Sequence, residues 1–135
     1  MPPDRFPPDD PREWLNRARS NLLRAKNHIP GVYLEDLCLD AQQAAEKAIK
    51  GVMILRGIEF PYIHDLRLLL GTLEASGETI EPDLLRAGNL SRYASATRYP
   101  FADLPISEAE YREAVEIAGN VVSWAERLCG EVRSP

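Results

Sequence analysis

The sequence is poor in the residues on which most metal and redox sites depend, with two cysteines and two histidines in 135 residues. Cys38 and Cys129 are too few and too far apart for a disulfide scaffold, and they lack the spacing of metal ligands. His28 and His64 are also far apart, and neither lies at ligand spacing from a cysteine or a paired carboxylate. We therefore expect no metal, no cofactor and two reduced thiols in a cytoplasmic protein.

Long apolar segments and β-branched residues are scarce as well. The longest apolar run is a few residues, whereas a membrane helix needs about 20, and no apolar segment led by basic residues opens the chain as in a signal peptide. Valine, isoleucine and threonine total 17 residues, against 32 leucines and alanines. Because leucine and alanine favour helices, this composition predicts a soluble, mostly helical protein with no membrane partner.

Apolar periodicity and capping residues predict where the helices lie. The expected ranges are 11–29, 34–56, 65–75, 82–98 and 108–129. Asp10 and Ser107 are the expected N-caps of the first and last helices, and Glu13 and Glu110 are placed to complete capping boxes. The predicted fold is an all-α, antiparallel up-and-down four-helix bundle with a short additional helix, over residues 10–131. An extended proline-rich tail (1–9) precedes it and a short tail (132–135) follows.

Charge is distributed unevenly along a chain whose formal net charge is −5. That net charge disfavours indiscriminate binding along a nucleic-acid backbone. Between residues 12 and 26 there are five basic residues and one acid, whereas between 108 and 131 there are six acids and two arginines. Either these helix faces complement each other in the fold, or the first helix offers a basic face to a phosphate-bearing or acidic partner.

The densest cluster of potential ligand-binding residues comprises two arginines and two tyrosines: Arg92, Tyr93, Arg98 and Tyr99. Arginine binds phosphate bidentately, and tyrosine stacks on bases or donates its hydroxyl group. The alternative interpretation is an arginine that complements a helix dipole beside a buried tyrosine.

Secondary candidates lie on the second and third predicted helices: Gln43, Glu46, Lys47, His64 and Asp65. The first three flank a row of alanines (41, 44, 45 and 48) that we expect to pack closely against a neighbouring helix. We expect the polar residues around that row to form a solvated face, with Glu46 and Lys50 as an i,i+4 ion pair. Asp65 is explained as an N-cap, which leaves His64 with little support of its own.

Several short segments follow one another in a distinctive order: QQAAEKA (42–48), KG (50–51), GIEFP (57–61), HDL (64–66) and RYP (98–100). Together they resemble the HEPN domain, the higher eukaryotes and prokaryotes nucleotide-binding domain, across nearly the whole chain. The resemblance implies a bundle of four to five helices and a homodimer. It also implies a minimal nucleotidyltransferase as partner, in arrangements that resemble toxin–antitoxin pairs.

Many HEPN domains are metal-independent ribonucleases with an arginine followed, about four to six residues later, by a histidine near the start of the last helix. Arg92 or Arg98 matches that arginine, but no histidine follows either one. Tyr99 is a poor substitute, because an unperturbed tyrosine has a pKa near 10. We therefore expect cleavage of RNA to be slow or absent.

Three functions stay open at this point. The first is a module that binds nucleotide or RNA, mainly through Arg98 and Arg92, beside a nucleotidyltransferase partner. The second is an endoribonuclease that uses the same arginines with Tyr99 or His64 as its base. The third is a dimeric adaptor without a ligand. A homodimer is also favoured by aromatic residues at the edges of the apolar stripes, since such residues are enriched at interfaces: Trp14, Tyr93, Tyr99 and Trp124.

Overall fold

A computed structural model describes residues 1–96 and 105–130, and helices are the only regular secondary structure in these two ranges. The helices are α1 (Pro11–Lys26), α2 (Leu34–Leu55), α3 (Leu66–Ala75), a 3-10 helix (Pro82–Leu90), α4 (Tyr93–Ala96) and α5 (Glu108–Cys129). The predicted all-α class is confirmed. No helix within the described part of the chain is both long enough and apolar enough to cross a membrane.

The three long helices form the centre of the bundle. α1 and α2 are antiparallel, because Asn21 near the end of α1 bonds Asp40 near the start of α2. α2 and α5 begin at the same end of the molecule, where the Glu35 carboxylate accepts a hydrogen bond from the backbone N–H of Ile106. The 3-10 helix packs against α5 and α2, and α4 packs against α2. α3 packs against α2 and the 3-10 helix. This is the predicted bundle with its short additional helix.

The predicted N-caps are present at the starts of α1 and α5. Asp10 caps α1 by accepting a hydrogen bond from Arg12 N, and Ser107 and Glu110 form the predicted capping box of α5. Glu13 differs from its prediction, because its carboxylate accepts a hydrogen bond from the backbone N–H of Phe6 rather than from that of Asp10. The amino-terminal segment therefore folds back onto α1.

The predicted fourth helix, 82–98, is replaced by the 3-10 helix and the four-residue α4. Leu84, Ala87 and Leu90 are buried at intervals of three residues, which matches the 3.0 residues per turn of a 3-10 helix. Gly88 and Asn89 are weak formers of the α-helix, which favours this outcome. Residues 97 and 98 of the prediction lie outside the described residues.

The alanine face of α2 packs as predicted. Ala41, Ala44, Ala45 and Ala48 are completely buried. One turn further on, a Cβ added to Gly51 would lie only 3.2 Å from Trp14 Cβ. Small residues therefore let α1 approach α2 closely. This contact holds α2 in position along α1, and with it the polar residues that α2 carries.

Candidate functional site

A row of polar side chains in the middle of α2 is buried, although the sequence pattern predicts a solvated face for Glu46 and Lys50. Gln42, Glu46 and Lys50 are 0%, 5% and 6% exposed. The cause lies in the connection between α2 and α3, which folds back along α2. Phe60 and His64 of that connection contact Lys50 and Glu46 directly. The predicted i,i+4 ion pair is confirmed, but it lies inside the protein.

The Glu46 carboxylate is the centre of this cluster. Its Oε1 lies 2.8 Å from Gln42 Nε2 and 2.8 Å from His64 Nδ1, and its Oε2 lies 2.9 Å from Lys50 Nζ. Burial raises the pKa of Glu46, but the hydrogen bonds from His64, Lys50 and Gln42 together outweigh it and hold the pKa below its ordinary value of 4.5. Glu46 is therefore an ionised, buried carboxylate at neutral pH.

The contact with Glu46 fixes the tautomer of His64. An ionised carboxylate can only accept hydrogen bonds, so Nδ1 of a neutral imidazole that binds it carries the hydrogen and Nε2 carries the lone pair. The His64 side chain is 53% exposed although its partner is buried. His64 is thus an oriented imidazole at the protein surface, and its Nδ1 is bonded to the buried, charged carboxylate of Glu46.

Two aromatic rings close one side of the cluster. Lys50 Nζ lies 5.1 Å from the centre of the Phe60 ring, which packs edge-on against Trp14 with 5.3 Å between ring centres. The Trp14 indole N–H donates to the carbonyl oxygen of Pro8. Because a cation above an aromatic face is stabilised by the ring's negative potential, Phe60 helps to hold the buried ammonium group beside Glu46.

Arg92 and Tyr93 form a second cluster at the start of α4. Arg92 Nη2 donates to the Tyr93 hydroxyl at 2.7 Å and lies 3.2 Å from Glu110 Oε2. Tyr93 is only 3% exposed, so its ring is not available to stack on a base, and the alternative of a buried tyrosine is confirmed here. Its hydroxyl also bonds the Cys38 thiol, whose pKa burial raises to about 11. Arg92 itself is 60% exposed.

One hydrogen bond links the segments that carry His64 and Arg92. The backbone N–H of Leu66 donates to Ser91 Oγ at 3.0 Å. The first cluster contacts α2 at Glu46 and the second contacts it at Cys38. These two residues are eight positions, or about 12 Å, apart along the helix axis. The segments that carry His64 and Arg92 are therefore neighbours in the fold. Arg98 and Tyr99, the other predicted ligand-binding residues, lie outside the described residues.

The remaining secondary candidates do not join the His64 cluster through direct bonds to the imidazole. Gln43 Nε2 donates to the side-chain oxygen of Gln42 at 2.6 Å. Lys47 Nζ donates to Asn21 Oδ1 on α1 at 2.7 Å, and its pKa is lowered by burial and by repulsion from Arg17. Asp65 accepts hydrogen bonds from the first backbone N–H groups of α3, so its predicted role as N-cap is confirmed.

The four arginines of α1 are paired with carboxylates. Arg17 contacts Glu13 at 2.6 Å. Arg19 crosses to α5, where its Nε lies 2.7 Å from Glu126 Oε2. Arg24 also lies near a carboxylate, that of Asp40. These contacts favour the interpretation in which the basic face of α1 complements acidic residues of the same chain.

The buried environment of Gln42 and Lys50 is the part of the cluster that sequence reasoning missed. Gln42, Glu46 and Lys50 are spaced four residues apart, which places them along one stripe of α2. That stripe was visible in the sequence, but the backbone path that brings Phe60 and His64 over it was not. Within the described residues, no three His, Cys, Asp or Glu side chains converge as a metal site requires.

Comparisons with known proteins agree with this architecture. A family model described as "HEPN domain" matches residues 11–128. The chain belongs to the HEPN family. Its structure is similar to that of TT1696 from Thermus thermophilus, with a TM-score of 0.76 and 34% identity over 87% of this chain and 96% of that one. It is also similar to ST0689, an archaeal HEPN homologue, with a TM-score of 0.72 and 27% identity over 89% and 98% of the two chains. No curated protein matches.

Proposed function

We propose that this HEPN chain is a nucleotide- or RNA-binding module that acts as a homodimer beside a minimal nucleotidyltransferase protein, in a toxin–antitoxin-like pair. The observation that carries the binding part is the geometry of Arg92. Its guanidinium group is largely exposed, yet it is oriented by the buried Tyr93 hydroxyl and faces the Glu110 carboxylate. A phosphate group has the charge and the acceptor oxygens of that carboxylate, and arginine binds both in the same way.

The exchange of Glu110 for a phosphate group is energetically reasonable. The Arg92–Glu110 pair is solvent-accessible on both sides, and exposed ion pairs contribute only about 0–1 kcal/mol. The Tyr93 hydroxyl stays in place during the exchange, because it is buried against Cys38. In this proposal Arg92 binds the phosphate group and the Tyr93 hydroxyl positions the guanidinium group of Arg92. Glu110 competes with the phosphate for that guanidinium group. Arg98 and Tyr99 lie outside the described residues, so only the sequence supports their place in the proposed binding site.

Titration calorimetry with AMP, ATP and a short single-stranded RNA at fixed salt tests this assignment. We expect Arg92→Ala to weaken binding and Glu110→Gln to strengthen it, since glutamine retains the capping-box geometry without the competing charge. Arg56→Ala is the matched control, because Arg56 is an ion-paired surface arginine at the far end of α2. If the wild type binds none of the three ligands, the adaptor function takes the place of the binding function.

The homodimer needs a different surface from the one that the aromatic residues suggested. Tyr93 and Trp124 are buried within the chain, so they do not supply an interface. Large apolar side chains are instead exposed near the α1–α2 connection, where Leu23 and Ile29 line one open groove. Contiguous exposed apolar surface of this kind is typical of protein–protein contacts and supports an interface at this end of the bundle.

The nucleotidyltransferase partner is supported by membership of the HEPN family. Co-expression of this chain with the nucleotidyltransferase encoded beside it, where there is one, tests that part. A stable complex during size-exclusion chromatography is the expected result. Two separate peaks at micromolar concentration would remove the partner from the proposal without affecting ligand binding.

A further inference from the structure

Residues 4–8, here called the strap, lie against α1 and are bound to it. Glu13 and Asn16 of α1 are polar, yet they are only 8% and 9% exposed. Glu13 Oε1 accepts a hydrogen bond from the backbone N–H of Phe6 at 2.9 Å. Asn16 Nδ2 donates to the carbonyl oxygen of Asp4, also at 2.9 Å. Because buried polar groups need partners, the strap has a defined place on α1.

The composition of the strap suits it to this position. Pro7 and Pro8 have a fixed φ and no N–H group, so the strap loses little conformational freedom when it binds α1 and needs few partners. The carbonyl oxygen of Pro7 accepts a hydrogen bond from the Asp10 N–H at 2.9 Å, which closes a turn just before α1. The guanidinium group of Arg12 lies 4.1 Å from the centre of the Phe6 ring. These contacts hold the strap on its own helix.

Trp14 lies between the strap and the connection between α2 and α3. Its indole N–H donates to the carbonyl oxygen of Pro8 at 2.7 Å, and its ring packs edge-on against Phe60 with 5.3 Å between ring centres. The Phe60 ring in turn lies 5.1 Å from Lys50 Nζ, which is paired with Glu46. One side chain therefore contacts both the strap and the segment that covers the buried ion pair.

We propose that the strap holds the connection between α2 and α3 in place through Trp14, so that release of the strap loosens the connection. The hydrogen bond from the indole N–H to Pro8 fixes the orientation of the whole ring, and this orientation places the ring edge-on against Phe60. A coupling of this kind is reciprocal, because it is a free energy shared by two contacts. Loosening the connection must therefore also loosen the strap. The proposal does not depend on the binding of nucleotide or RNA.

Hydrogen–deuterium exchange of the full chain, measured by mass spectrometry, tests the proposal. Phe6→Pro removes the N–H that binds Glu13 and leaves α1 unchanged, whereas Phe6→Ala keeps that N–H and is the matched control. We expect Phe6→Pro to speed exchange about 2- to 10-fold in residues 4–10 and also in residues 57–65, the factor that the net strength of one hydrogen bond gives. Phe6→Ala should have a smaller effect in both segments. Faster exchange in residues 4–10 with no change in residues 57–65 would overturn the proposal.

The reciprocal experiment changes the connection and measures the strap. Phe60→Leu removes the ring that Trp14 contacts but keeps an apolar side chain, and we expect it to speed exchange in residues 4–10 as well as in residues 57–65. Leu68→Ala shortens an exposed side chain of α3 and is the matched control, which should leave exchange in residues 4–10 unchanged. If each substitution speeds exchange only in the segment that carries it, the two contacts of Trp14 are independent and the proposal is wrong.

Discussion

His64 Nδ1 and Glu46 Oε1 lie 2.8 Å apart, although the two residues are 18 positions apart in the chain. This bond attaches the connection between α2 and α3 to the middle of α2. It also determines which nitrogen of the imidazole faces the solvent. The buried cluster and the orientation of the exposed imidazole therefore both depend on one carboxylate.

Replacement of Lys50 by methionine tests whether the ion pair is buried in solution. The change leaves the Glu46 carboxylate without its cation, and loss of one partner from a buried pair typically costs about 3–5 kcal/mol. We expect a loss of that order in the free energy of unfolding measured with urea. Arg56→Met is the control, because it breaks the more exposed pair with Glu78 and should cost about 0–1 kcal/mol. Equal losses for both variants would contradict the buried location.

The lowered pKa of Glu46 predicts a specific dependence of stability on pH. A carboxyl group with a depressed folded-state pKa stabilises the protein above its unfolded value of about 4.5, and this contribution is lost as the pH falls through the folded-state pKa. The difference in unfolding free energy between wild type and Glu46→Gln should therefore be largest near neutral pH and shrink below about pH 4.5. A difference that stays constant between neutral and acidic pH would show that Glu46 does not titrate in this way.

The close contact between α1 and α2 predicts that larger residues on the alanine face destabilise the bundle. Ala44→Leu or Ala48→Leu adds volume to a fully buried position and should cost about 1–3 kcal/mol. Ala109→Leu adds the same side chain to an exposed position in the first turn of α5 and should change the melting temperature little. Unchanged melting temperatures for both buried variants would mean that the alanine face is not the packing face.

Sedimentation equilibrium tests the proposed homodimer and its interface. We expect a dimer mass for the wild type at micromolar concentration. Leu23→Glu introduces a charge into the apolar groove near the α1–α2 connection and should shift the protein toward the monomer. Leu68→Glu changes a similarly exposed leucine on α3 and should leave the dimer mass unchanged. A monomer mass for the wild type would count directly against the dimer.

Much of the fold follows from local signals. Asp10, Ser107 and the spacing of apolar residues place the starts of α1 and α5 correctly, because capping and amphipathicity act within a few residues of the chain. The 82–98 prediction fails because the apolar positions 84, 87 and 90 fit a helix of three residues per turn as well as they fit an α-helix. Local periodicity over so short a segment does not distinguish the two.

The candidate site is predicted less well, for a physical reason. Glu46 and His64 are among the secondary candidates that the sequence offers, and the spacing of Glu46 and Lys50 predicts their ion pair. The burial of Glu46 and Lys50 depends on the path of residues 57–65, which no local pattern specifies. Tyr93 was expected to contact ligand or to be buried, and only tertiary packing against Cys38 decides between the two.

Titration of a fluorescently labelled single-stranded RNA with the wild-type protein, followed by anisotropy, tests the proposed function most directly. Phosphate contacts release counterions, so we expect saturable binding that weakens as salt is raised from about 50 to about 200 mM. Replacement of Arg98 by alanine should weaken binding at the lower salt by about 1.5–3 kcal/mol, the scale of a charged hydrogen bond. No binding by the wild type at the lower salt concentration would contradict the proposal that this chain is a nucleotide- or RNA-binding module.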